Sequence, residues 1–455
     1  MDTQLSPQTQ QSSTNITLEV AKLAGPLVLL NLSQTLLGVA DTFFVSRIGT
    51  DAVAAVGLAS VIYFAVFMLF RGTANSTVVF VGRAHGEQDN SKLGTAVWQS
   101  INTIAWLSLI TFILPFLFTQ IINLAAPADN SNVGSLGIAY ARIRSLEIPL
   151  IMFSGVVWGF LVGRGDSRTP MILAWITVGI NIFLDWLLVL GNLGVPAMGV
   201  RGAATATVLA NSINAILSAA ILFSKANHQK FNSRQLRFST WSEVKSVLSI
   251  GLPMGLGDFI EIASFSIFFA LIARLGTEIL AANQIALQFM SVSFTFGIAI
   301  AMAASSLVSK HLGAKEPELA EKVGYRAMYL AMGGMGAIGA SYLIAPAALI
   351  GVFSQETAVI EAGVTILRLV ALYQIFDGIG IVLSGALSGA GDTRFTMLSR
   401  IILAWGVFIP LVYLLIFRFN GGIWEAWAGA LVYLIGLSIV YFLRFRSGVW
   451  KRIQI

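Results

Sequence analysis

The sequence predicts an all-α integral membrane protein, with twelve transmembrane helices in two pseudo-symmetric six-helix lobes, and three observations carry that expectation. The 455 residues are 56% hydrophobic and only 11% charged, whereas soluble domains carry about 25% charge; water is therefore not the main solvent of this chain. Apolar runs of roughly 20 residues recur along almost the whole length, each long enough as a helix to cross about 30 Å of hydrocarbon. A β-barrel would instead show alternating segments of about 10 residues. Lastly, the second half of the chain repeats landmarks of the first.

The spans fall at about 20–46, 52–82, 96–120, 133–163, 170–191, 202–224, 244–274, 280–310, 325–350, 359–389, 396–418 and 424–445, with short loops between them. Alternate loops are basic. Arg83 and Lys92, Arg164 and Arg168, Lys225 to Arg237, Lys310 to Arg326, then Arg394 and Arg400 fall on one face, joined by Arg444, Arg446, Lys451 and Arg452. The opposite loops hold Arg47, Arg201, Arg274 and Arg418. The positive-inside rule then puts both termini in the cytoplasm, as in a bacterial-type inner membrane. Topology accounts for the net charge of +6, so nucleic acid is not an expected partner.

The repeat sets the domain plan. Arg47-Ile48-Gly49-Thr50-Asp51 returns as Arg274-Leu275-Gly276-Thr277-Glu278, displaced by 227 positions, and Pro26 with Pro253, Arg83 with Lys310 and Gly86 with Gly313 keep that displacement. Gly163 to Arg168 matches Gly389 to Arg394 at 226. Several matches in register point to duplication of a six-helix unit. Because six is even, the copies enter the membrane in the same orientation, a plan that suits alternating access around a central cleft. The expected divisions are a mobile cytoplasmic tail at 1–18, an N-lobe at 19–224, an interlobe linker at 225–242, a C-lobe at 243–446 and a C-terminal tail at 447–455.

The chain has no cysteine, which excludes disulfides and thiolate metal sites. His85, His228 and His311 lie in loops, leaving no metal-ligand cluster, and no phosphate-binding loop is present to power transport with ATP. No enzyme activity and no cofactor are expected. Glycines and prolines inside spans, such as Gly25-Pro26, Gly251 with Pro253, and Gly378 with Gly380, read mainly as packing positions.

A carboxylate inside a span is costly, so it is expected to face a cavity and to have a function. Asp41, Asp185, Asp258, Glu261 and Asp377 are such residues. Asp41 lies about 28 Å up the first helix and Asp185 about 22 Å up the fifth at 1.5 Å per residue, so both sit in the outer half of the N-lobe. Asn181, one turn before Asp185, shares its face, and Thr205 starts the next helix at a comparable level. Two carboxylates close together in low dielectric do not both stay ionised, which makes the pair an expected proton acceptor. In the C-lobe, Glu261 and Asp377 have compatible depths and Tyr373 is one turn from Asp377. Hard oxygen ligands there suit a small cation or the proton replacing it. Arg144 and Glu147 read as an ion pair on the fourth helix.

These residues resemble the multidrug and toxic compound extrusion (MATE) family over essentially all twelve spans. The stretches Tyr140 to Arg144, Gly163 to Pro170, Asn181-Ile182-Phe183-Leu184-Asp185 and Gly199 to Thr205 resemble its DinF branch. That resemblance implies a MATE-type fold of the wider MOP superfamily and a proton-responsive N-lobe site at Asp41, Asn181, Asp185 and Thr205. Pro253 followed by Glu261, and Tyr373-Gln374-Ile375-Phe376-Asp377, resemble the NorM branch, which implies a cation site at Glu261, Tyr373 and Asp377.

Membership implies a secondary antiporter that exports small amphipathic, often cationic, organic compounds in exchange for inward H⁺ or Na⁺, working in the bilayer as a monomer. Two alternatives are a lipid-linked precursor flippase of the same superfamily, which would use Arg71, Arg142, Arg144 or Arg368 for an anionic headgroup, and an ion channel or sensor.

Overall fold

The computed structural model describes residues 7–125 and 131–455, and among them the regular structure is helical throughout. Hydrocarbon offers the backbone no hydrogen-bonding partners, and a helix satisfies them within the segment. The first half runs α1 (Pro7–Ser46), α2 (Thr50–Asn75), α3 (Thr77–Gly86), α4 (Asn90–Thr111), α5 (Leu114–Ala125), α6 (Ser131–Ser145), α7 (Ile148–Gly163), α8 (Arg168–Leu188) and α9 (Val200–Leu222). A short α10 (Lys225–Phe231) precedes α11 (Trp241–Ile272), α12 (Thr277–Gly313), α13 (Pro317–Ile344), α14 (Pro346–Gly351), α15 (Thr357–Ala390), α16 (Thr393–Leu403), α17 (Ile409–Tyr413) and α18 (Ile423–Arg446).

Among the described residues ten helices are long and apolar enough to cross a membrane, counting α2 with α3 as one span, and two bent pairs, each taken as one span, raise the number to twelve. The pairs are α4 with α5, bent by 50°, and α6 with α7, bent by 43°. Each break was expected as continuous helix, and in each case a proline, Pro115 or Pro149, is the second residue of the helix that follows. The missing proline N–H leaves the carbonyl four residues back without its helical donor, and the ring crowds that carbonyl. Between α16 and α18, wider turns at Ala404–Phe408 and Leu414–Arg418 flank Pro410 and absorb the same defect without breaking the span.

Residues 1–6 of the expected tail lie outside the described residues, and from Pro7 onward the chain is part of α1. The segment between α9 and α11 is hydrogen-bonded to α4. Trp98 Nε1 donates to the Ser233 carbonyl at 3.1 Å, and Asn102 Nδ2 donates to the Arg237 carbonyl at 2.7 Å.

The chain divides into two compact units, one comprising 29–255 and the other 1–28 with 256–455. Both divisions fall inside a helix, α1 and α11, two residues beyond Pro26 and Pro253, and they are separated by the repeat displacement of 227 positions. The units share a packing device. In the first, a Cβ on Gly159 would lie 2.8 Å from Thr77 Cβ and one on Gly163 2.9 Å from Val81 Cγ1, so α7 approaches α3 more closely than any side chain permits. In the second, Gly385 and Gly389 of α15 press on the backbone of Ala301 and Ser305 in α12. These glycines correspond through the repeat, and small residues are what membrane helices need for close packing.

Candidate functional site

In unit 29–255 the polar side chains gather around the last turns of α1. Asp41 is 5% exposed and Asp185 fully buried. One helical turn separates Asn181 from Asp185 on α8, so both present the same face. The Asn181 amide is placed so that its nitrogen meets the two acids, since its oxygen there would face only acceptors. Nδ2 then donates to Asp41 Oδ1 at 3.0 Å and to Asp185 Oδ2 at 3.2 Å. The two carboxyls also lie within hydrogen-bonding reach of each other.

Thr207, not Thr205, completes this cluster. Its Oγ1 reaches Asp41 Oδ2 at 3.3 Å, sharing its one hydrogen with the Ala203 carbonyl at 2.9 Å, while the Thr205 hydroxyl turns away and donates to the Arg201 carbonyl at 2.8 Å. Two positions on a helix are separated by about 200°, so neighbours at that spacing occupy nearly opposite faces. The α8–α9 hairpin brings Thr207 within reach because Gly202 packs against Leu188 backbone, where a Cβ would lie 2.6 Å from the carbonyl oxygen.

A second layer surrounds Arg144. Its guanidinium pairs with Glu147, lies 3.8 Å from Asp41 Oδ2, and donates to Tyr140 Oη at 2.8 Å. It also sits over the Tyr63 ring, 4.7 Å from the centroid, a geometry that favours a cation. Glu147 is satisfied on both oxygens, by Tyr63 Oη at 2.7 Å and Asn211 Nδ2 at 2.8 Å. Sequence reasoning found the Arg144–Glu147 pair but missed Tyr63, Thr207 and Asn211. Thr207 and Asn211 lie one turn apart in a span, a polar i, i+4 pair that was available as a signal.

The described residues of this cluster thus include three carboxyls, Asp41, Asp185 and Glu147, and one guanidinium, which meets Asp41 and Glu147. With Arg144 and Glu147 offsetting each other, the aspartate pair carries the remaining charge, and a proton taken up between its oxygens would remove their mutual repulsion.

In the other unit, two members of the expected trio, Tyr373 and Glu261, already have partners of their own. Tyr373 is fully buried, directs its hydroxyl to Met290 Sδ at 3.7 Å and stacks on Trp427 at 6.5 Å between centroids. Asp377, one turn on, is 5% exposed; its Oδ2 has no hydrogen-bond partner, and it lies within electrostatic range of Glu261. Glu261 is met by Arg400, whose Nε lies 3.4 Å from Glu261 Oε2 and whose Nη1 donates to Asp258 Oδ1 at 2.5 Å. Arg400 was counted with the cytoplasmic loops; it lies instead in the last turn of α16 with a side chain only 16% exposed. A charge close to the edge of an apolar run reads as a flank, and its reach into the bundle is invisible to hydropathy.

The two sites occupy non-equivalent positions in the repeat. The counterpart of Asp41 is Phe268, fully buried against Phe408 at 5.2 Å and Trp427 at 5.3 Å. Among the described residues no group of three or more His, Cys, Asp or Glu side chains could hold a metal ion.

The MatE family model matches the chain twice, over residues 26–187 and 253–414, so the matched copies start and end 227 residues apart. A probable multidrug resistance protein NorM of Thermotoga maritima is 28% identical over 435 residues, covering 95% of this chain and 93% of its own. The multidrug resistance protein PmpM of Pseudomonas aeruginosa is 28% identical over 447 residues, covering 94% and 90%. Among solved structures, a MATE protein in a bent conformation superposes with a TM-score of 0.87 at 22% identity, covering 98% of both chains. An outward-facing multidrug resistance MATE transporter of the MOP superfamily gives 0.85 at 21%, covering 96% and 97%; at these identities the likeness speaks for the fold. With both halves matched by the family model and 95% of its length aligned to a NorM-type relative, this chain is a member of the MatE family of integral membrane proteins.

Proposed function

We propose that the chain is a secondary active transporter, exporting small amphipathic organic cations in exchange for inward protons by alternating access, with Asp41 and Asp185 as the proton-accepting pair. The observation that carries this reading is the shared Asn181 amide donating to both carboxyls, with Thr207 on Asp41 and Arg144 at 3.8 Å. Such a pair has two states of similar cost, one holding a proton and one relying on Arg144 and Thr207, and an exchanger needs two such states. Asn181 and Thr207 position the carboxyls; the proton resides on Asp41 or Asp185.

The cargo class is supported by relatives named multidrug resistance proteins and by the excess of carboxyls over cations in the cluster. A cationic substrate and a proton would compete for the same negative charge, which is the simplest form of antiport. The basic loops argue for both termini in the cytoplasm. Exchange of Na⁺ at Glu261, Tyr373 and Asp377 has less support, because Arg400 already engages Glu261 and Tyr373 is turned toward Met290. A flippase for anionic headgroups has less support at Arg144, the candidate cation nearest the aspartate pair, because Glu147 and Asp41 already engage it.

The test is transport of an organic cation by the full chain in proteoliposomes under an imposed pH gradient or an imposed Na⁺ gradient. Uphill movement driven by the pH gradient alone is expected. Uphill movement driven only by Na⁺ would overturn proton coupling.

A further inference from the structure

The carboxylates of the C-terminal unit already have a cation, and the chain itself supplies it. Arg400 Nη1 donates to Asp258 Oδ1 at 2.5 Å, Nη2 donates to Ser384 Oγ at 3.2 Å, and Nε stands 3.4 Å from Glu261 Oε2 at ion-pair distance. The guanidinium is thus held by α11, α15 and α16 together. Gly257 makes room for it: a Cβ there would lie 3.3 Å from Nη1 and 3.6 Å from Cδ. From this arrangement we infer that Arg400 is a tethered counter-cation, filling the place between Asp258 and Glu261 that a sodium ion would take and making this unit indifferent to Na⁺.

A small hard cation needs several oxygens converging on one point. With Arg400 in place, Asp258 and Glu261 point at nitrogen donors, and the remaining acid, Asp377, has one unpartnered oxygen beside a tyrosine turned toward a thioether. Too few ligands are left. Arginine also keeps its charge at every accessible pH, so this cation is never lost by titration. A tethered group arrives without the translational cost of a free ion, whereas Na⁺ would have to shed its hydration shell and displace a guanidinium held at three points. Arg400 is therefore a selectivity determinant that acts by exclusion. The inference goes beyond proton coupling in the other unit and does not depend on it.

The test reads binding without transport. Thermal unfolding of the purified full-length chain in detergent is compared in NaCl and in choline chloride at equal ionic strength. Wild type is expected to unfold at the same midpoint in both. Arg400→Gln is expected to gain a saturable, Na⁺-specific rise of about 2 °C, and adding Glu261→Gln is expected to remove it. A Na⁺-specific rise in wild type that Glu261→Gln abolishes would overturn the inference, as would a folded Arg400→Gln variant with no Na⁺ response. If Arg400→Gln does not fold, Arg400→Lys, which keeps a tethered charge, is expected to stay indifferent to Na⁺, and a Na⁺ response there would equally overturn it. Because transport is not read, failure here leaves the proton-driven exchange to its own test.

Discussion

Thr207 Oγ1, bonded to the Ala203 carbonyl of its own helix at 2.9 Å, also reaches Asp41 Oδ2 at 3.3 Å across 166 positions of sequence, while Thr205, two residues earlier on that helix, bonds its own backbone alone. This difference separates a role in the carboxyl pair from a role in helix α9. Thr207→Val, which keeps the shape and removes the hydroxyl, is expected to weaken export, with a loss of about 1.5–3 kcal/mol for a hydrogen bond to a charged group. Thr205→Val is expected to leave export near wild type. Efflux of a fluorescent organic cation from cells, normalised to expression, distinguishes the two; equal losses would mean that the cluster is drawn wrongly.

The buried pair of Arg144 and Glu147 behaves as a unit. Glu147→Gln leaves the guanidinium short of a partner, and breaking such a pair costs about 3–5 kcal/mol. The double variant Arg144→Met with Glu147→Gln removes both charges and is expected to unfold at a higher temperature than Glu147→Gln alone, although it deprives Asp41 of its neighbouring cation. Thermal unfolding of the three proteins checks the order.

Much of the architecture is legible in the sequence because hydropathy and the repeat are properties of the chain itself. The spans, the repeat displacement and the pairing of Asn181 with Asp185 one turn apart all follow from spacing. What could not be read were rotations between helices. Whether Thr205 or Thr207 meets Asp41 depends on how α9 is turned about its axis, and whether Arg400 serves the loop or the bundle depends on where its side chain runs. Pro115 and Pro149 were visible, but a proline in a membrane helix is compatible with a bend or a break, and only the tertiary surroundings decide.

The glycine contacts make a paired prediction about the repeat. Gly159→Ala and Gly385→Ala each place a Cβ inside van der Waals contact, 2.8 Å from Thr77 Cβ and 2.5 Å from the Ala301 carbonyl oxygen. Each is expected to destabilise by about 1–3 kcal/mol. Gly179→Ala meets nothing within 4 Å and is expected to be neutral, or to gain up to about 1 kcal/mol from helix propensity. Unfolding midpoints of the three variants provide the comparison.

A pH prediction concerns the C-terminal turn outside the spans. Lys451 pairs with Glu321 at 2.6 Å and Glu318 at 2.9 Å, and the hydrogen bond it donates to Glu321 chiefly holds its ammonium above the ordinary value of 10.5. A group raised on folding contributes below its unfolded value and loses that contribution as pH climbs through the folded one. Lys451→Met is therefore expected to lower the unfolding midpoint equally at about pH 6 and about pH 9, with the difference from wild type shrinking only in strong alkali. A difference that already vanishes near pH 8 would contradict this.

The central claim is that Asp41 and Asp185 take up the proton that exchanges for substrate. Its most direct measurement is proton movement on adding an organic cation to proteoliposomes carrying a trapped pH indicator, for wild type, Asp41→Asn and Asp185→Asn. Wild type is expected to exchange protons for substrate. Both variants are expected to reconstitute equally well yet give no substrate-dependent proton signal. Wild-type proton exchange persisting in Asp41→Asn would contradict the account.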